Sequence, residues 1–149
     1  MGRLKAGPEQ TLVCDYLDRA TATGRGIALG PVGVTEVDER KFRDPAAQSA
    51  KLLDSIPAGA TAVTLDERGR ALTSDEFATL IARERDGGVG EMVFLIGGAD
   101  GHTKDLRAAT GHRLCFGPMV WPHMLARVML AEQLYRAISI LAGTPYHRA

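Results

Sequence analysis

The sequence predicts an α/β domain built on a mostly parallel sheet covered by helices. Three observations carry that expectation. Short apolar segments of strand length alternate with segments of helical period through most of the chain. The best strand, Met92 to Ile96, is a continuous apolar run, as strands buried in parallel sheets are. Finally, 149 residues without an internal repeat or a linker fit one domain, 1–149, large enough to bury roughly two-thirds of the surface its unfolded form exposes.

The elements follow in order. Between Glu9 and Ala22, Leu12, Val13, Tyr16, Leu17 and Ala20 recur at three- and four-residue steps and predict an amphipathic helix that Gly24 and Gly26 end. Val32 to Val37 alternates enough for a strand. Asp44-Pro45 opens a helix through Leu53, with proline in its first turn, and Pro57-Ala58-Gly59 closes it. Ala62 to Leu65 is a short β-branched strand leading to a turn at Asp66 to Gly69. Thr73 or Ser74 caps the next helix, with Glu76 shortly after, a stripe of Phe77, Leu80 and Ile81, and Gly87-Gly88 as its stop. After Met92 to Ile96 comes the double glycine Gly97-Gly98. Arg113 to Trp121 begins as a strand and becomes an apolar loop, and a long helical pattern from Leu125 to Leu141 precedes the polar tail Pro145 to Arg148.

Composition limits what the chain does. Lysine plus arginine and aspartate plus glutamate are both 18, so there is no overall pull toward nucleic acid, and an RNA partner has to be held by a local patch. Basic residues gather at Arg40, Lys41 and Arg43, and again at Arg127, Arg136 and Arg148, although solvated helix faces look the same. Cys14 and Cys115 are far apart and lack metal-ligand spacing, which points to a reduced, cytoplasmic setting with neither disulfide nor zinc. No run reaches the roughly 18 to 20 apolar residues of a membrane helix, and the N-terminus shows no signal-peptide pattern.

Chemistry is expected after Ile96. Two consecutive glycines behind a buried strand let the backbone approach a ligand closely, at the place where an α/β sheet keeps its ligands, although a plain loop reads the same way. The segment is GGADG and neither dinucleotide nor P-loop fingerprint, so a nicotinamide-binding domain is disfavoured. The loop Phe116 to Trp121 has the apolar character that wraps an adenine ring, or that simply fills a core. His123 before a helix reads first as a capping or packed histidine, and Glu132 and Arg136 as an intrahelical ion pair. Tyr146, His147 and Arg148 would cost ordering entropy at a chain end, and nothing apolar follows to offset it.

Together the motifs are specific. LIGGADG at Leu95 to Gly101, WPHML at Trp121 to Leu125, LAEQLYRA at Leu130 to Ala137 and PYHR at Pro145 to Arg148 resemble the RlmH family, as do GRLKAGPE at Gly2 to Glu9 and TLDERG at Thr64 to Gly69. That family comprises SPOUT-class methyltransferases that modify N3 of a pseudouridine in 23S ribosomal RNA. The resemblance implies an α/β trefoil knot, a homodimer whose interface uses the long C-terminal helix, and S-adenosyl-L-methionine as cofactor. Carried over by position, it places cofactor contacts on Leu65, Gly97, Phe116, Gly117, Pro118, Met119, Val120 and Trp121. It directs attention to Tyr146, His147, Arg148, Arg136 and His123 for catalysis, with large-subunit rRNA in the ribosome as substrate and neither metal nor membrane involved. Two departures stand out. Family members begin with an extra strand before the glycine matching Gly2, so either the start is placed too late or the sheet here lacks that neighbour, and Phe116 to Trp121 is bulkier than the small and hydroxylated residues common there. Both allow a second reading, a binding protein of the same fold without turnover.

Overall fold

A computed structural model describes residues 1–42, 44–98 and 100–148; Arg43 of the first basic cluster and Ala99 of the glycine segment lie outside the described residues. The chain forms two compact units. One consists of Met1–Arg3, Thr35–Ala71 and Val89–His123, and the other of Leu4–Val34, Leu72–Gly88 and the segment from Met124 onward.

The first unit holds the sheet. Helix α2 (Pro45–Asp54) starts as its sequence dictates: the Asp44 side chain accepts from the Ala47 amide at 2.8 Å, and Pro45 occupies the first turn. Strands β1 (Thr61–Ala71), β2 (Met92–Ile96) and β3 (His112–Cys115) form a parallel sheet in the order β2-β1-β3. Ala62, Val63 and Thr64 of the central strand are all buried, which explains their continuous non-alternating pattern. Met1, Val37, Leu52, Leu95 and Leu106 form a buried cluster joined by Phe42, Ile56 and Val93.

Three expectations need correction in the sheet-bearing unit and its approach. Val32 to Val37 is not a strand: Thr21 Oγ1 accepts from the Val32 amide at 3.0 Å and donates to its carbonyl at 3.4 Å, so both main-chain groups a ladder would use are engaged by a helix side chain. Val37 is nevertheless buried, and its carbonyl accepts from the Gly2 amide. Second, the turn expected at Asp66 to Gly69 is an irregularity within β1: Leu65 pairs with Leu114, the register shifts, and Arg70 pairs with Leu114 again. Third, a short helix that the sequence does not predict spans Lys104–Ala109; its six residues are too few to show a period, and the Thr103 side chain caps it. Among the described residues no strand precedes the first helix; Met1 instead places its amine 2.6 Å from the Ile96 carbonyl.

In chain order the helices are α1 (Pro8–Gly24), α2, α3 (Ser74–Asp86), α4 (Lys104–Ala109) and α5 (His123–Leu141). The second unit contains α1, α3 and nearly all of α5. Thr73 and Glu76 form the complete capping box of α3, with bonds of 3.2 and 2.8 Å. Phe77 and Ile81 of the expected stripe are buried together with Ala78, while Leu80 is half-buried. Ser74 donates to Gln133 at 2.9 Å and links α3 to α5.

Candidate functional site

Parallel register brings three distant segments to one edge. Leu65 of β1 pairs with Ile96 of β2 on one side and with Leu114 of β3 on the other. Gly97 and the loop from Phe116 therefore leave the sheet at its carboxyl edge, where α/β proteins bind ligands, beside the irregular stretch of β1 that begins at Asp66. Every cofactor contact expected from the sequence lies on these segments.

The glycines there sit in tight or left-handed backbone. A Cβ on Gly97 would sit 3.0 Å from the Gly101 oxygen and 3.2 Å from His102 Cε1. Gly98 and Gly101 bridge across a tight turn, closed by the Gly101 amide on the Gly98 carbonyl at 3.1 Å. After β3, the Gly117 amide donates to Cys115 Sγ at 3.2 Å, and Gly117 adopts φ of +100°, a conformation that favours glycine. Phe116 and Gly117 are half-buried and Pro118 is exposed. Met119 and Val120 are 67% and 84% exposed, and Trp121 is also exposed, so this loop offers an uncovered apolar surface.

Sequence reasoning missed a charged cluster beside the same edge. Asp66 accepts from the Arg68 amide at 2.9 Å and from Arg107 Nη1 at 3.2 Å. Burial pushes its pKa up, but the Arg68 amide and the Arg107 guanidinium outweigh it and hold the carboxyl below its ordinary value. His102 is 5% exposed, and neither ring nitrogen makes a hydrogen bond among the described residues. Burial lowers its pKa, outweighing the Asp66 charge and the Leu95 and Leu65 carbonyls, so the imidazole is neutral near pH 7. Nothing in the spacing of Asp66, His102 and Arg107 marks them as neighbours, because the sheet register and α4 bring them together.

In the second unit the tail is docked on α5. Tyr146 donates its hydroxyl to Glu132 Oε1 at 2.9 Å, and Glu132 also holds Arg136 through the expected i,i+4 ion pair. The Tyr146 ring lies 4.4 Å from that of Tyr135 and 4.9 Å beneath the Arg136 guanidinium. Arg136 Nη1 is 3.3 Å from His147 Nδ1, whose Nε2 faces Asp75 at 3.8 Å. Burial, and then the Glu132 carboxylate, raise the Tyr146 pKa well beyond the ordinary phenol value, which keeps the hydroxyl protonated as a donor. Arg136, Tyr146 and His147 thus form one network, with Arg148 exposed just beyond it. His123 is the half-buried first residue of α5.

The described residues contain no group of three or more potential metal ligands, and no helix among them is long and apolar enough to cross a membrane. Comparison with known proteins adds a family to this geometry. A family model described as "Predicted SPOUT methyltransferase" matches residues 1–147. The chain is 58% identical over 148 residues to ribosomal RNA large subunit methyltransferase H of Dinoroseobacter shibae, covering 99% of this chain and 95% of that protein. Proteins of the same name from Maricaulis maris and Ruegeria pomeroyi are 56% and 53% identical over the same coverage.

Proposed function

Because this chain belongs to the SPOUT methyltransferase family, we propose that it transfers a methyl group from S-adenosyl-L-methionine to N3 of a pseudouridine in large-subunit ribosomal RNA, on the ribosome in the cytoplasm. One observation carries the reading most directly: Leu65 of β1 pairs with Ile96 and with Leu114, so that Leu65, Gly97 and the Phe116 to Trp121 loop lie along a single edge. The reading includes a knotted threading of the C-terminal segment. It also includes a homodimer using α5, where Leu125 leaves an exposed apolar side chain.

The edge suits the donor. Gly97, where a Cβ would press on Gly101 and His102, keeps the main chain bare at this edge, and the exposed apolar loop supplies a surface for a flat base. Bound there, the donor supplies an electrophilic methyl on a sulfonium. The protein has to align N3 with it and accept one proton, so positioning supplies most of the rate.

The tail network is assigned to the base. His147 or a group near it receives or relays the N3 proton, with its Nδ1 oriented by the Arg136 guanidinium, and Arg136 and Arg148 stabilise charge developing on the base carbonyls. Tyr146 is assigned to ordering the tail, since its hydroxyl is committed to Glu132 and its ring to Tyr135 and Arg136. His123, at the junction of the donor loop and α5, orients that loop.

The test is transfer of labelled methyl from S-adenosyl-L-methionine to ribosomes that carry the pseudouridine but lack its methyl. The intact chain is expected to label them, and a version lacking residues 146–149 to bind the donor without transferring. Donor binding without transfer by the intact chain would favour the binding-protein reading instead.

A further inference from the structure

The Asp66–Arg107 pair has no part in the chemistry above, yet it touches two of the segments assigned to the donor. Asp66 directly follows Leu65, and Arg107 lies on α4. Arg107 Nη1 donates both to Asp66 Oδ2 at 3.2 Å and to the His102 carbonyl at 2.5 Å. One guanidinium therefore ties β1, just past Leu65, to the residue that follows the Gly97 to Gly101 turn. The second Asp66 oxygen is engaged by the Arg68 amide, within the irregular stretch of β1.

Both charged side chains are shielded, at 6% and 16% exposure. Attraction in such a pair is largely offset by the desolvation of its members, so it adds little net stability while selecting one arrangement of the segments it joins. The turn that His102 follows is the one that a Cβ on Gly97 would crowd.

We propose that Asp66 and Arg107 are positioning residues for the methyl donor: they fix the spacing between the Leu65 wall and the Gly97 wall of the cradle and so set donor affinity without touching the donor. The proposal rests on the donor site named above. Main-chain hydrogen bonds weaken steeply as distance and angle depart from ideal, so a small relaxation between the walls costs affinity for a ligand held by both.

The experiment is calorimetric titration of the full chain with S-adenosyl-L-methionine, for the wild type, Asp66→Asn, Arg107→Gln and the double variant. Leu52→Ala, in the buried cluster of the same unit, serves as the control for general destabilisation. Each single variant is expected to weaken binding about tenfold, and the double variant to weaken it no further, as for residues acting as one unit. Leu52→Ala is expected to lower Tm without changing Kd. In methyl transfer, KM for the donor should rise while kcat at saturating donor stays within about twofold of wild type. Arg107→Lys, which keeps the charge but loses the forked donor, should fall between wild type and Arg107→Gln, and it decides the matter if the other variants do not fold. Unchanged Kd in the folded variants, additive losses in the double variant, or an equal loss in Leu52→Ala would overturn the brace. A wild type that binds no donor would instead overturn the donor site, and the brace with it.

Discussion

Gly69→Ala probes the close approach of β1 and β3. A Cβ at this position would lie 2.6 Å from the Leu114 carbonyl carbon, 2.8 Å from its oxygen and 2.9 Å from the Arg113 carbonyl carbon. All three are backbone atoms, which no rotamer change moves away. The strands have to separate, and Leu114 is the residue that pairs with both Leu65 and Arg70 across the register shift. Overpacking of this kind costs about 3 kcal/mol, the upper end of its usual range because the neighbours are main chain. For a domain of this size that corresponds to a Tm lower by about 6 to 12 °C. Because β3 runs directly into the Phe116 loop, donor binding should weaken as well. The matched control is Gly111→Ala, where a Cβ meets nothing within 4 Å and stability should be unchanged or rise by up to about 1 kcal/mol. Thermal unfolding and donor titration of both variants check this. A Gly69→Ala protein within about 2 °C of wild type and with unaltered donor binding would refute the claim that this crossing positions the loop.

Other expectations concern separate parts of the chain. Thr73→Ala removes one bond of the α3 capping box and should cost about 1 kcal/mol, read by urea denaturation, with no effect on donor affinity. Tyr146→Phe keeps the ring on Tyr135 but loses the hydroxyl bond to Glu132, so it should cost about 1 kcal/mol, whereas Tyr146→Ala should cost more and also lower methyl transfer. Stability should also depend on pH in two windows. His102 has a lowered pKa, so its unfolded form binds a proton more readily, and stability should fall as pH drops below the ordinary imidazole value of 6.5; His102→Phe should flatten that limb of a Tm-against-pH curve. Asp66 is also lowered, so its contribution is present above the ordinary carboxylate value of 3.8 and is lost below it, a limb that Asp66→Asn should remove.

Locally encoded features were legible from the residues. Asp44-Pro45 and Thr73 with Glu76 start helices because a side chain three positions away reaches the free amides of the first turn. Met92 to Ile96 reads as a buried strand from its apolar length, and β2 spans those residues. Glu132 and Arg136 pair as their spacing implies. Local reading failed where a distant partner overruled it. Val32 to Val37 has strand-like alternation, but Thr21 engages the main chain of Val32. Asp66 to Gly69 has turn composition, yet Gly69 is there because the Leu114 backbone passes within 3 Å of where its Cβ would be.

By itself the sequence determined α1, α2, α3 and α5, the caps of α2 and α3, the buried strands and, through the combination of LIGGADG, WPHML and PYHR, the family. Those properties depend on residues a few positions apart, or on a pattern held in the chain as written. Only the tertiary structure decided that Leu65, Ile96 and Leu114 end side by side, that Arg107 spans Asp66 and the His102 carbonyl, and that Tyr146 closes onto Glu132. Apart from Arg107 and His102, which are five positions apart, these contacts join residues from 14 to 49 positions apart, where sheet register and chain reversal, and no local spacing, set the distance.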